Sequence, residues 1–187
     1  MAFVVELEYD SPDVISLPRV RKQLQLEDDF VEDDELLRDY IDAAIVEAEN
    51  YINSEITEKK YQITGKSIAD VLTFKRQKIT KIDSFEYRNE SGDVVQISSD
   101  DYSLQNADNF ANEIVFNDGF VLPSVKENTV NAVTLKVTVG YPSGKVPKAI
   151  QKALLLMVTD SYENRTDTVK EKVTASENAL HPYKRYC

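Results

Sequence analysis

The sequence predicts an α+β protein in which a helical core carries an inserted β-rich element. Three observations predict it. Apolar residues recur at helical spacing in two long segments, 34–56 and 147–165. Between about residues 60 and 140, β-branched and aromatic residues form short runs bounded by turn residues. At 187 residues and 42% hydrophobic content, the chain is long enough to bury one substantial core. The expected organisation is a single domain over 1–187, with the β-rich insertion at 60–140 and a C-terminal tail at 174–187.

Taken in order, Phe3–Tyr9 has partial alternation and suits an edge strand or an ordered arm. Leu17, Val20 and Leu24 then share a helical face, with Ser16 placed as N-cap and Pro18 in the first turn, which predicts a short helix over 17–24. The run Glu27 to Glu35 holds seven acids in nine residues. Its spacing does not fit an EF-hand, and the glycine that loop needs is missing. It is read as a solvated loop whose last acids cap the next helix and face the positive end of its dipole.

That helix, 34–56, carries the stripe Leu37, Ile41, Ala44, Ile45, Ala48, Tyr51 and Ile52. Ala43, Ala44 and Ala48 leave room for a partner helix, most simply the one at 147–165. In the β-rich middle, strands are expected at Tyr61–Thr64, Val71–Phe74, Ile79–Arg88, Val94–Ser98, Tyr102–Leu104, Glu113–Phe116 and Ala132–Val139. Asn89-Glu90-Ser91-Gly92-Asp93 supplies the clearest hairpin turn. The loops 105–112 and 117–129 read as polar and exposed. In the last strand, Val133, Leu135, Val137 and Val139 face one way and Thr134, Lys136 and Thr138 the other.

The stretch Val139 to Pro147 ends that strand, turns, and starts the most apolar helix. Ile150, Ala153, Leu154, Met157, Val158 and Tyr162 line one face of it, and Leu155 and Leu156 widen the stripe beyond what one buried face requires. Residues 166–172 read as a link. A short helix from Thr174 or Ser176 to Leu180 should be broken by Pro182.

Charge and chemistry narrow the function. The net charge is −11, and 17 acidic against 6 basic residues lie in positions 1–60, so the first third is a poor surface for gripping nucleic acid. One cysteine, Cys187, permits neither an internal disulfide nor a thiolate metal cluster. No run reaches the roughly 18 apolar residues of a membrane span, so no membrane partner is expected. The chain reads as soluble and cytosolic where it is made. His181, the single histidine, lies beside Pro182 near the chain end, a weak place to build a catalytic constellation. No phosphate-binding glycine motif is present, and no catalytic residue, metal or cofactor is expected.

The residues singled out are therefore candidates for contact with other chains: Leu155, Leu156, Tyr162, Arg165, Tyr183, Lys184, Arg185 and Tyr186. Tyrosine and arginine are favoured at protein interfaces. On a tail, Tyr183 to Tyr186 have no evident core to join.

The order of these pieces carries a resemblance. The acidic loop leads into Asp34-Glu35-Leu36-Leu37 with Tyr40-Ile41, Ala44, Glu47 and Tyr51-Ile52. The β-rich middle follows, then Val137-Thr138-Val139-Gly140-Tyr141, Val146-Pro147-Lys148-Ala149-Ile150 through Leu156, and Tyr162-Glu163-Asn164-Arg165. The chain resembles the tailed-bacteriophage head-tail connector family, the DNA-packaging or head-completion adaptors. The resemblance spans most of 17–165 and is most specific from Gly140 to Arg165. It departs in a longer β-rich middle and in an acidic N-terminal extension with no evident counterpart.

The resemblance implies a structural protein at the virion head-tail junction, present in the host cytoplasm during assembly. It would form a ring of about a dozen copies beneath the portal protein, receive a tail-completion protein, and let DNA pass without sequence-specific binding. The alternatives are a small cytosolic binding module and a carboxylate- and metal-dependent nuclease of a packaging module.

Overall fold

The computed structural model describes residues 2–9, 14–27, 29–72, 78–106, 112–126, 129–164 and 174–185. They fall into two compact units, one of Met1–Asp10 with Thr57–Tyr141 and the other of Ser11–Ile56 with Pro142–Cys187. The fold is α+β, as the sequence predicts.

The first unit is built on an antiparallel sheet. Its strands are β1 (Phe3–Tyr9), β2 (Lys59–Gly65), β3 (Ile79–Arg88), β4 (Val94–Gln96) and β7 (Val133–Val139), in the spatial order β1-β2-β7-β3-β4. β5 (Tyr102–Asn106) and β6 (Asn112–Phe116) form a separate hairpin. β7 is central, and Val133, Leu135, Val137 and Val139 are fully buried. Against that face pack Ile63, Phe85, Ile97, the hairpin residues Tyr102, Leu104, Ile114 and Phe116, and Phe120 and Val125. Phe120 stacks on Phe116 at 4.7 Å between ring centres. The segment after β6 is thus not wholly polar and exposed, since two of its apolar residues join the core. Burial raises the Tyr102 phenol above its ordinary pKa.

The β3–β4 turn forms as the sequence indicates. Gly92 adopts φ 95°, and Asn89 Oδ1 accepts from the Asp93 amide at 2.9 Å. One expected strand is a helix instead. Ile68–Leu72 forms α3, because Ser67 Oγ accepts from the Asp70 amide at 3.2 Å while Asp70 Oδ2 accepts from the Lys66 amide at 3.2 Å. These local caps outweigh the β-branched composition that suggested a strand at 71–74; residues 73 and 74 lie outside the described set.

On the second face of the sheet, Thr138 Oγ1 donates to Asp83 Oδ2 at 2.6 Å and Lys81 Nζ pairs with Asp83 Oδ1 at 2.8 Å. Partial burial would raise the Asp83 pKa. The bonds from Lys81 and Thr138, with the charges of Lys81 and Lys60, outweigh it and hold the carboxyl below its ordinary value.

The second unit is helical: α1 (Leu17–Gln23), α2 (Asp34–Ile52), α4 (Lys148–Glu163) and α5 (Ala175–Leu180). α4 packs against α1, α2 and α5. Ala44 and Ala48 are buried and Ala43 is exposed, so two of the three small residues line the inner face of α2. α2 stops at Ile52, four residues short of the expected end. Asn53 takes the left-handed conformation with φ 53°, and the Ser54 amide closes on the Glu49 carbonyl at 3.2 Å. Ile56 is nevertheless buried, its amide held by Glu49 Oε1 at 2.8 Å, so it keeps the apolar period without being helical. α5 opens with a capping box between Thr174 and Glu177. Pro182 sits within a 3₁₀ turn, His181–Tyr183, that continues from α5.

Gly140 ends β7 with φ 86°, and a Cβ there would lie 2.0 Å from the Thr57 carbonyl oxygen. Both the backbone conformation and the contact exclude a side chain. Gly140→Ala is expected to cost roughly 3 kcal/mol or more, a drop in Tm of about 6–12 °C in thermal unfolding. An unchanged Tm would mean the close approach is not made in solution.

Because the folded state favours the ionised form of Asp83, its contribution to stability is complete above the unfolded carboxylate pKa and is lost as pH falls through its own lower value. Thr138→Val is expected to move the Asp83 titration upward in an NMR pH series. A titration curve that stays in place would argue against the Thr138 bond.

Candidate assembly surface

The candidate contact residues lie on α4 and in the C-terminal segment, both in the helical unit. Along α4, Ile150, Ala153 and Leu154 are fully buried, Val158 nearly so, and Leu155 is only 8% exposed. The surplus apolar face is therefore largely covered within the chain at Leu155. Leu156 and Met157 remain half-buried. Tyr162 is half-buried too, and its hydroxyl donates to Asp33 Oδ2 at 2.6 Å.

This bond changes the expected role of the acidic loop. Asp33 occupies the N-cap position of α2 but makes no side-chain cap, and its carboxylate receives Tyr162 instead. Asp34 and Glu35 fall in the first turn, where the helix dipole favours them. Arg21 Nη1 stands 3.6 Å from Asp34 Oδ1, an ion pair beyond hydrogen-bond reach, and its other nitrogen donates to the carbonyls of Glu27 and Phe30. Arg21 thereby fastens the acidic loop to α1.

A polar residue absent from the candidates also organises the helical unit. Gln151 is buried on α4; its amide nitrogen donates to the Val146 carbonyl at 2.9 Å, and its oxygen accepts from Arg19 and Lys148. A buried amide with both ends satisfied fixes register where apolar packing alone would not. Its position within an otherwise apolar stripe was visible in the sequence, though its partner 132 residues earlier was not.

As far as Arg185 the C-terminal segment has a core to join, contrary to the expectation for this part of the tail. The Arg185 amide donates to the Ile52 carbonyl at 2.8 Å, and Asn53 Nδ2 donates to the Arg185 carbonyl at 3.4 Å. Ile52 belongs to the last turn of α2, whose carbonyls have no helical partner. Lys184 Nζ lies 4.5 Å from the centre of the Tyr51 ring. The last turn of α2 has no basic residue of its own, and Lys184 brings positive charge to the negative end of its dipole. Arg185 is buried, and Tyr183 and Lys184 are half-buried. Arg165 and Tyr186 lie outside the described residues, as does the whole of the expected link 166–172.

His181 is exposed in the 3₁₀ turn. Among the described residues, no group of three or more His, Cys, Asp or Glu side chains is arranged to hold a metal ion. No helix among them is long and apolar enough to cross a membrane. The arrangement offers packing and hydrogen-bonding surfaces.

Comparison with known proteins agrees with the resemblance in the sequence. Residues 14–115 match the family described as phage gp6-like head-tail connector protein. No curated protein matches the chain. Among solved structures, one from the neck of an empty gene transfer agent (GTA) particle, computed with C6 symmetry, is 14% identical. It has a TM-score of 0.72 over 99% of this chain and 96% of that one. A chain of the native GTA virion is 15% identical with a TM-score of 0.71, covering 98% of this chain and 96% of the other. One from the native GTA neck, computed with C12 symmetry, is 13% identical with a TM-score of 0.69 over 99% and 96%. At these identities the likeness is one of fold, and it leaves at most a few residues of the N-terminal extension without a structural counterpart. The family match covers more than half of the sequence, and the chain belongs to the phage gp6-like head-tail connector family.

Proposed function

We propose that this chain is a structural subunit of the head-tail junction of a tailed phage or phage-like particle, where identical copies form a ring that joins capsid to tail. The observation that carries the reading is the family match, supported by whole-chain similarity in fold to chains from neck and virion structures. Those neck structures were computed with C6 and C12 symmetry, which supports a ring of about a dozen copies. In this reading the partners are the portal protein on one side and a tail-completion protein on the other. The role is carried by packing surfaces, with no catalytic step and no cofactor.

The charge suits such a role. A net charge of −11, with 17 acids against 6 bases in residues 1–60, weakens any hold on phosphates, so DNA passing a ring of such subunits meets little electrostatic friction. Of the candidate contact residues, Leu155 and Arg185 are largely consumed by packing within the chain, and Lys184 is committed to Tyr51. Leu156, Tyr162 and Tyr183 keep exposed surface and are assigned to subunit or portal contacts, together with Arg165 and Tyr186.

With the cognate portal protein, native mass spectrometry or negative-stain microscopy is expected to find a closed ring of this chain on the portal. A chain that stays monomeric and never binds the portal would overturn the reading. Leu156→Glu is expected to leave the circular dichroism spectrum unchanged and to weaken ring formation about tenfold or more, as an introduced charge must be desolvated in a packed contact. Assembly equal to the parent chain would remove Leu156 from the interface.

A further inference from the structure

The sheet of the first unit ends in two strands, β1 and β4, whose outer sides pair with no strand among the described residues. Natural edge strands are commonly kept short or charged so that they do not recruit other strands. β1 is seven residues long, and Phe3, Val4, Val5 and Leu7 are between 46% and 53% exposed. At the far edge, Val94 of β4 is 54% exposed.

Two features make these edges complementary. First, each neighbour in the order β1-β2-β7-β3-β4 is antiparallel to the next, so β1 and β4 run in the same direction. Second, they present apolar side chains on the same face. Phe3 pairs with Thr64, Thr64 with Thr134, Thr134 with Glu86, and Glu86 with Gln96, two residues from Val94. Directly paired residues share a face, as do residues two apart on one strand, so Phe3, Val5 and Val94 all lie on one side.

We infer that β1 of one copy adds in parallel to β4 of the next, with Phe3 and Val5 against Val94, so that the sheet continues from subunit to subunit. This rests on the ring reading above and names a contact that closes it. A ring requires two different patches, one on each side of the subunit, and the opposite edges of one sheet meet that requirement. Charge favours the same pairing. β1 carries Glu6 and Glu8 and no basic residue, so β1 against its own copy would be antiparallel and would bring acids into one ladder. At the turn that opens β4, Arg88 donates from its guanidinium to the Gly92 carbonyl at 3.4 Å, and Lys126 Nζ lies 3.0 Å from where a Gly92 Cβ would stand, so this end of the edge carries cations beside Glu90 and Asp93.

Disulfide trapping on the assembled ring tests the inference. In a Cys187→Ser background, copies carrying Val5→Cys mixed with copies carrying Val94→Cys are expected to cross-link under mild oxidation, whereas Val5→Cys alone is not. A chain bearing both is expected to give a ladder up to ring size. Val5→Lys, at an exposed position, is expected to keep the monomer folded by circular dichroism and to weaken each contact about ten- to a hundredfold; Val5→Thr should keep most of it. Cross-linking of Val5→Cys to itself, or to the portal protein, would overturn the inference. So would a ring visible by microscopy that neither cysteine combination traps, and that outcome would leave the ring reading standing. A parent chain that forms no ring on its portal removes both.

Discussion

The first unit depends on one close approach, that of Gly140 to the backbone of Thr57. β2 begins at Lys59, opposite Val139, so the chain enters the unit at Thr57 beside the point where β7 leaves it. Only a residue without a Cβ, in a positive-φ conformation, lets the two backbones meet there. Lys78 fixes the same place from the other side: its carbonyl accepts from the Gly140 amide at 3.0 Å, and its ammonium lies 4.4 Å from the centre of the Tyr141 ring. The central strand is thus held at its exit by both neighbouring segments, and the buried valines of β7 follow in register from that point.

Much of this architecture was legible in the sequence, for reasons that differ by element. β7 and α4 were readable because their apolar residues keep one period over a whole element, 2 in the strand and 3.6 in the helix. The β3–β4 turn was readable because Gly92 and its asparagine and aspartate neighbours have a local mechanism. Two misreadings have physical causes. The C-terminal end of α2 was placed too late because buried Ile56 continues the helical spacing after Asn53 has closed the helix. α3 was missed because five residues are too few for a period, and its stability lies in the Ser67 and Asp70 caps.

The contact surface was less legible, because exposure depends on partners distant in sequence. Leu155 and Leu156 are equivalent as letters, yet one is largely covered and the other half open. Arg185 looked like a free cation on a tail, whereas its backbone completes the last turn of α2. Asp33 looked like a helix cap, but Tyr162 takes its carboxylate from 129 residues away. The resemblance in the sequence was strongest from Gly140 to Arg165, while the family match covers 14–115. The match therefore shares the acidic loop and α2 with the resemblance, while the most specific part of the resemblance lies outside it.

An acidic subunit that assembles with its own copies faces a conflict between charge and association. A net of −11 on each copy means that neighbours repel at long range, and only short-range contacts can offset that. The structure occupies some of the acids locally. Asp33 is bound by Tyr162, Asp34 is paired with Arg21, and Asp83 is held by Thr138 and Lys81. The exposed apolar residues of β1 and β4 are where a contact between copies has most to gain from burial. In the ring proposed above, repulsion between whole subunits opposes association wherever apolar edges meet out of alignment, because such edges bury little surface. Aligned edges bury more, so under that proposal the geometry of the sheet edges, and not affinity alone, sets the condition for assembly.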